Sequence, residues 1–132
     1  MIVLDTHVWV WWLDDPDALP ARARKRVREA AADNAIYVSA ISTWEVLLLN
    51  ARKRLQFTMD AQDWVARSEA LPFLHFVPVD NAIAIRAVRL AEPFHKDPAD
   101  RIIVATAMTM GVPIVSSDAR IRAYPHVEAI WT

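Results

Sequence analysis

The feature that most constrains this chain is the spacing of its short apolar runs. Ile2-Val3-Leu4, Ile36-Tyr37-Val38, His75-Phe76-Val77, Pro113-Ile114-Val115 and Glu128-Ala129-Ile130 read as strands. They recur too far apart for hairpins, and amphipathic stretches at about 6–13, 20–32, 42–54, 60–70, 80–91 and 98–110 fill the intervals. Strands that alternate with helices pair in parallel, so the pattern predicts an α/β domain around a central, mainly parallel sheet. No linker, repeat or low-complexity segment interrupts the 132 residues, and the span 1–132 is expected to form a single domain large enough to bury its own core.

Composition removes several chemistries. There is no cysteine, which excludes thiolate nucleophiles, disulfides and Cys-ligated zinc, and fits a reducing compartment. The single glycine, Gly111, leaves no way to write a phosphate-cradling loop, so nucleotide cofactors are not expected. A formal net charge of −1 gives no overall field for nucleic acid, and any polyanion must be held by local cations or metal ions. The apolar runs fall well short of the roughly twenty residues that span a bilayer, and the N-terminus lacks the basic start and cleavage site of a signal peptide. A cytoplasmic protein with no membrane association is the expectation. Six tryptophans and 55% hydrophobic residues exceed what one small core needs, which points to an interface.

Helix punctuation is written in several places. Asp97-Pro98-Ala99-Asp100 has a capping residue before a proline and an acid at the third position, Gly111 is placed to end that helix, and Ser42-Thr43-Trp44-Glu45 reads as a capping box.

The chemistry lies in where the acids fall. Asp5 follows the first strand, Glu45 opens the helix after the second, Asp100 opens the helix after Pro98, and Asp118 follows the fourth strand. In an open parallel sheet these junctions share one edge, where ligands bind. Capping explains each acid taken singly, as it does Asp80. Glu45 differs because Ile41, Trp44, Leu48 and Leu49 surround it on the helix surface, an expensive setting for an unpaired charge. Several carboxylates together raise one another's pKa values unless a cation joins them, and an oxygen-only set favours Mg²⁺ or Mn²⁺. His7, His75, His95 and His126 show no paired ligand spacing, and none is assigned to a metal.

Taken in order, MIVLDTHVWVWWL, VSAISTWEV, HKDPADRIIVATA and PIVSSDARIRAY resemble the PIN-domain ribonucleases, and within them the VapC-type toxins of toxin–antitoxin pairs, over nearly the whole chain. The resemblance implies a three-layer α/β/α fold with a five-stranded, mainly parallel sheet, and an acidic Mg²⁺ or Mn²⁺ site. The family's acids fall on Asp5, Glu45, Asp100 and Asp118, and the HxDPxDR-like segment adds Asp97 as a ligand or a cap. Thr6, Ser42 and Ser116 would orient carboxylates; Ser116 stands where threonine is frequent. The implied reaction is metal-assisted hydrolysis of RNA to a 3′-hydroxyl and a 5′-phosphate. The implied partners are RNA, a second copy of the chain and an antitoxin whose C-terminal segment covers the site.

Candidate cations for RNA are Arg22, Arg24, Lys25, Arg26 and Arg28 on one helix and Arg52, Lys53 and Arg54 at the end of another, although solvated faces and helix ends carry such residues without a ligand. Arg101, beside Asp100, is a candidate partner for a carboxylate. Val10 and Trp11 point away from the face that carries Asp5 and are candidates either for a dimer or antitoxin contact or for burial under a neighbouring helix. The competing readings are a catalytically silent protein- or RNA-binding module of the same fold and a non-toxin RNA-processing nuclease. A haloacid-dehalogenase-like phosphatase would need a second Asp where His7 stands.

Overall fold

The computed structural model describes residues 1–132. Five strands form one all-parallel sheet: β1 (Ile2–Leu4), β2 (Ile36–Ser39), β3 (Leu74–Val77), β4 (Ile114–Val115) and β5 (Ala129–Ile130), in the order β3-β2-β1-β4-β5. Seven α-helices accompany them: α1 (Thr6–Asp14), α2 (Ala21–Ala32), α3 (Ala40–Ala51), α4 (Ala61–Glu69), α5 (Asn81–Val88), α6 (Pro98–Met110) and α7 (Ala119–Ala123). No helix is long and apolar enough to cross a membrane.

The period-two alternation of each strand divides the interior into two layers. Ile2, Leu4, Ile36, Val38, Val115 and Ile130 face Val8 and Trp9 of α1, Val27 of α2, Val46 of α3 and Trp64 of α4. Val3 and Ile114 face the other way, onto Ile103, Val104 and Ala107 of α6 and Ile121 of α7. The result is the expected α/β/α sandwich. Trp9 is fully buried between Trp64, at a ring separation of 4.8 Å, and Phe76, at 5.4 Å.

Strand order reverses at β1: successive strands β2 and β3 lie on one side of it, β4 and β5 on the other. Helices after β1 and after β4 therefore leave in different directions, opening a crevice at the carboxyl ends of these two central strands.

Three local readings need correction. The helix after β2 begins at Ala40 and is capped by Ser39, whose hydroxyl accepts from the Ile41 amide at 3.2 Å. Ser42 is thus not a cap, and Glu45 lies in the second turn; Ser39, at the strand exit, is the first residue able to turn its side chain back onto the new amides. The second concerns α7, which escaped notice because five residues carry no readable period. The third concerns Val10, for which burial in the chain's own core replaces the interface reading, while Trp11 rests partly covered against Trp131 at 5.9 Å. The remaining punctuation is as read. Asp80 caps α5 through the Ile83 amide at 2.9 Å, Asp97 caps α6, and Gly111 ends α6 at φ 68°, a conformation that costs a side chain-bearing residue more.

Candidate metal centre at the sheet edge

Asp5 is placed by β1. Its amide donates to the Val115 carbonyl at 3.0 Å, continuing the β1–β4 pairing one residue past the strand, so the side chain emerges at the floor of the crevice. There it caps α1: Oδ1 accepts from the Thr6 amide at 2.9 Å, while Oδ2 accepts from the Ser116 hydroxyl at 2.7 Å. Ser116, fully buried just beyond β4, also accepts from the Asp118 amide at 3.0 Å. One hydroxyl thereby fixes the carboxylate of one acid and the backbone of another.

Glu45 reaches the crevice from α3. Its Oε1 is hydrogen-bonded by the Thr6 hydroxyl, and the hydroxyls of Thr6 and Ser42 lie 2.8 Å apart. Thr6 has one proton; donating it to Glu45 leaves its oxygen to accept from Ser42, so a relay of two hydroxyls aims the carboxylate.

The opposite wall comes from α6. Asp97 Oδ1 accepts from the amides of Ala99 at 2.9 Å and Asp100 at 3.3 Å, and the other carboxylate oxygen is not used by the cap. Asp100, 9% exposed, stands in the first turn. Arg101 does not find a crevice carboxylate. It donates to the carbonyls of Ala87 at 2.9 Å, Val88 at 3.2 Å and His95 at 3.2 Å, and only the exposed Glu92 lies within 3.8 Å, so its work is to hold the segment before α6 in place.

Asp5, His7, Glu45, Asp97, Asp100, Ser117, Asp118 and Arg120 together line a cavity of about 270 Å³ with no hydrophobic residue in its wall. The five acids singled out in the sequence thus meet in one place. Their electrostatics express the crowding. Burial raises the carboxyls of Asp5 and Glu45 above the usual range. Burial, reinforced by the charges of Asp5, Asp97, Glu45 and Asp118, pushes Asp100 up to about 7. Asp118 alone is lowered, because the Arg120 side chain hydrogen-bonds it.

Arg120 and His95, like the lining residues His7 and Ser117, were not assigned to this site from sequence. Arg120 Nη2 lies 3.0 Å from Asp118 Oδ2 and 3.8 Å from Asp100 Oδ2, supplying the crevice with a positive charge. His95 Nε2 lies 3.2 Å from Asp100 Oδ2. Both depend on where loops run in space; the sequence signals were their proximity to Asp97 and Asp118 and, for His95, its place at the head of the HxDPxDR-like segment. The proposed RNA cations divide. Arg24 pairs with Asp17, Arg26 with Glu29, and Arg22 with the Thr132 carbonyl, whereas Arg52 lines a trough beside Glu45 and Asp97.

A family profile described as PIN domain matches residues 2–127. Ribonuclease VapC22 of Mycobacterium tuberculosis is 32% identical over 125 residues, which is 95% of this chain and 92% of that protein. The chain belongs to the PIN-domain family. Solved structures of this fold include VapBC2 from Rickettsia felis bound to a promoter DNA fragment, with a TM-score of 0.72 at 15% identity and full coverage of both chains. A DNA-bound VapBC from Salmonella typhimurium gives 0.67 at 18% identity, covering 98% of this chain and 96% of that one. FitAcB from Neisseria gonorrhoeae gives 0.66 at 22%, with the same coverage.

The donor set of this PIN domain fits a divalent cation. Carboxylates whose protonated forms are favoured by burial and mutual repulsion gain most from a positive ion, and their oxygens point into a small polar space.

Proposed function

We propose that the chain is a metal-dependent endoribonuclease of the VapC type, the toxin of a toxin–antitoxin pair, hydrolysing RNA phosphodiester bonds with Mg²⁺ or Mn²⁺ held by Asp5, Glu45, Asp100 and Asp118, with Asp97 contributing. The observation that carries the reading is the convergence of these acids in one polar crevice at the reversal point of the sheet. When bound, such an ion polarises the scissile phosphate and the attacking water and offsets the charge that develops in the reaction.

The protein's part is orientation. Thr6 and Ser116 hold both oxygens of Asp5, the Ser42–Thr6 pair aims Glu45, and the Asp97 cap fixes the first turn of α6 that carries Asp100. Arg120 and Arg52 stand at the two flanks of the crevice, where phosphates on either side of the scissile bond would be gripped.

A protein partner is supported by a trough of about 600 Å³ that shares Glu45 and Asp97 with the crevice and is otherwise lined mainly by Ile41, Trp44, Leu48 and Leu49. An antitoxin segment lying there would cover the site. Ile85 and Val88 leave a separate apolar face on α5, which suits pairing with a second copy of the chain. Cytoplasmic residence follows from an RNA substrate.

The test is cleavage of RNA by the purified chain with and without Mg²⁺ or Mn²⁺, beside Asp5→Asn and Asp100→Asn. Activity should require metal and vanish in both variants, with circular dichroism unchanged. Cleavage in the presence of a chelator, or full activity in both variants, defeats the reading.

A further inference from the structure

Asp100 and Asp118 mark the end of the crevice where an unassigned nitrogen lies close: one donor atom from each of His95, Asp100 and Asp118 lies within 4.8 Å of the others. The His95 contact is not an ordinary hydrogen bond. Nε2 is 3.2 Å from Asp100 Oδ2, but the ring is not aligned for donation, and this buried nitrogen has no hydrogen-bond partner. A separation near 3 Å without a shared proton is what two neighbouring donors on one octahedral ion require, since bonds of about 2.1 Å place cis ligands about 3 Å apart.

Two further observations support a cation at this end. The guanidinium of Arg120 already bridges Asp118 and Asp100, at 3.0 and 3.8 Å, so the gap between them admits a positive charge. Arg120 is mostly exposed and on a short helix, and can withdraw to solvent. The imidazole is also held in advance: Phe94 packs on it at 4.5 Å between ring centres, and Arg101 grips the carbonyls of Phe94 and His95 at 3.4 and 3.2 Å. Pre-organisation of this kind is what a ligand needs and a solvated surface histidine lacks.

We propose that His95 supplies a nitrogen ligand to a divalent ion shared with Asp100 and Asp118, so that this end of the centre selects a first-row transition ion of the Mn²⁺ class over Mg²⁺. Imidazole is a softer donor than carboxylate or water, and its presence shifts preference along the transition series away from Mg²⁺. The inference rests on the metal-dependent reading of the crevice and adds the donor and the selectivity.

The experiment uses the full chain with substoichiometric Mn²⁺ alone, read by pulsed electron paramagnetic resonance for ¹⁴N coupling, with a Mg²⁺ competition titration alongside. The wild type should show nitrogen coupling that persists in His7→Gln, the histidine that lines the crevice wall, and disappears in His95→Gln. The Mn²⁺-over-Mg²⁺ preference should fall about tenfold or more in His95→Gln, the size of loss that altering a metal's surroundings brings. Bound Mn²⁺ without nitrogen coupling in the wild type, or coupling lost in His7→Gln and kept in His95→Gln, overturns the assignment and leaves the nuclease reading standing. Failure to bind Mn²⁺ at all overturns both. Coupling that persists in His7→Gln decides the matter even if His95→Gln does not fold, and His95→Asn provides a second variant.

Discussion

Asp100 shows most directly what the crevice costs the fold. Its carboxyl titrates near 7 in the folded chain against 3.8 in the reference state, raised first by burial and then by the neighbouring acids. The folded state therefore binds a proton that the unfolded state has released, and between about 4 and 7 this group makes stability fall as pH rises. Without metal, the melting temperature should be higher at about pH 5.5 than at about pH 8, and Asp100→Asn should flatten that slope and gain a few degrees at the higher pH while losing cleavage. A variant that melts lower than wild type at both values would contradict this. Metal binding opposes the same proton, so affinity should weaken as pH falls below about 7. Isothermal titration calorimetry in buffers of different ionisation enthalpy should register proton release. At this scale Asp5, Asp97, Asp100 and Asp118 were legible because each ends a strand or begins a helix, and Glu45 because apolar neighbours surround it on its helix. His95 and Arg120 were not, because their places depend on the path of the loop held by Arg101 and on the short helix after Asp118.

At the level of elements, the same residue can serve a helix and the chemistry, and Asp97 allows the two to be separated. Both of its capping bonds use Oδ1. Asparagine caps about as well as aspartate, whereas alanine does not. Asp97→Asn should keep stability within a few tenths of a kcal/mol but weaken metal binding, and Asp97→Ala should in addition destabilise by about 1 kcal/mol. Urea denaturation beside metal titration distinguishes them; equal metal affinity in Asp97→Asn and wild type would reduce Asp97 to a cap. The start of α3 shows why such assignments slip. Ser42-Thr43-Trp44-Glu45 satisfies the capping-box pattern, but Ser39 takes the cap, and Ser42 and Glu45 are released to meet Thr6 across the crevice. Local pattern could not decide between two serines; the position at which β2 ends did.

For the whole molecule, the parallel sheet was legible from the spacing of apolar runs and its two faces from their alternation, but strand order was not, since no local signal says on which side of β1 a later strand will dock. That order creates the crevice, and it sets α3 so that its outer face is left bare beside it. Trp44, 57% exposed, together with Ile41, Leu48 and Leu49, forms a surface that a soluble monomer has little reason to keep. Tryptophan in such a trough is the residue type that dominates binding energy when a partner covers it. Trp44→Ala should therefore leave RNA cleavage by the isolated chain near wild type, because the ring has no partner in the crevice, yet weaken binding to a cognate antitoxin by about 30-fold, or about 2 kcal/mol. Titration of the antitoxin against a fixed amount of nuclease, with residual cleavage as the signal, measures both quantities in one experiment. An unchanged inhibition curve would place the antitoxin elsewhere, and loss of cleavage in the free variant would assign the trough to RNA.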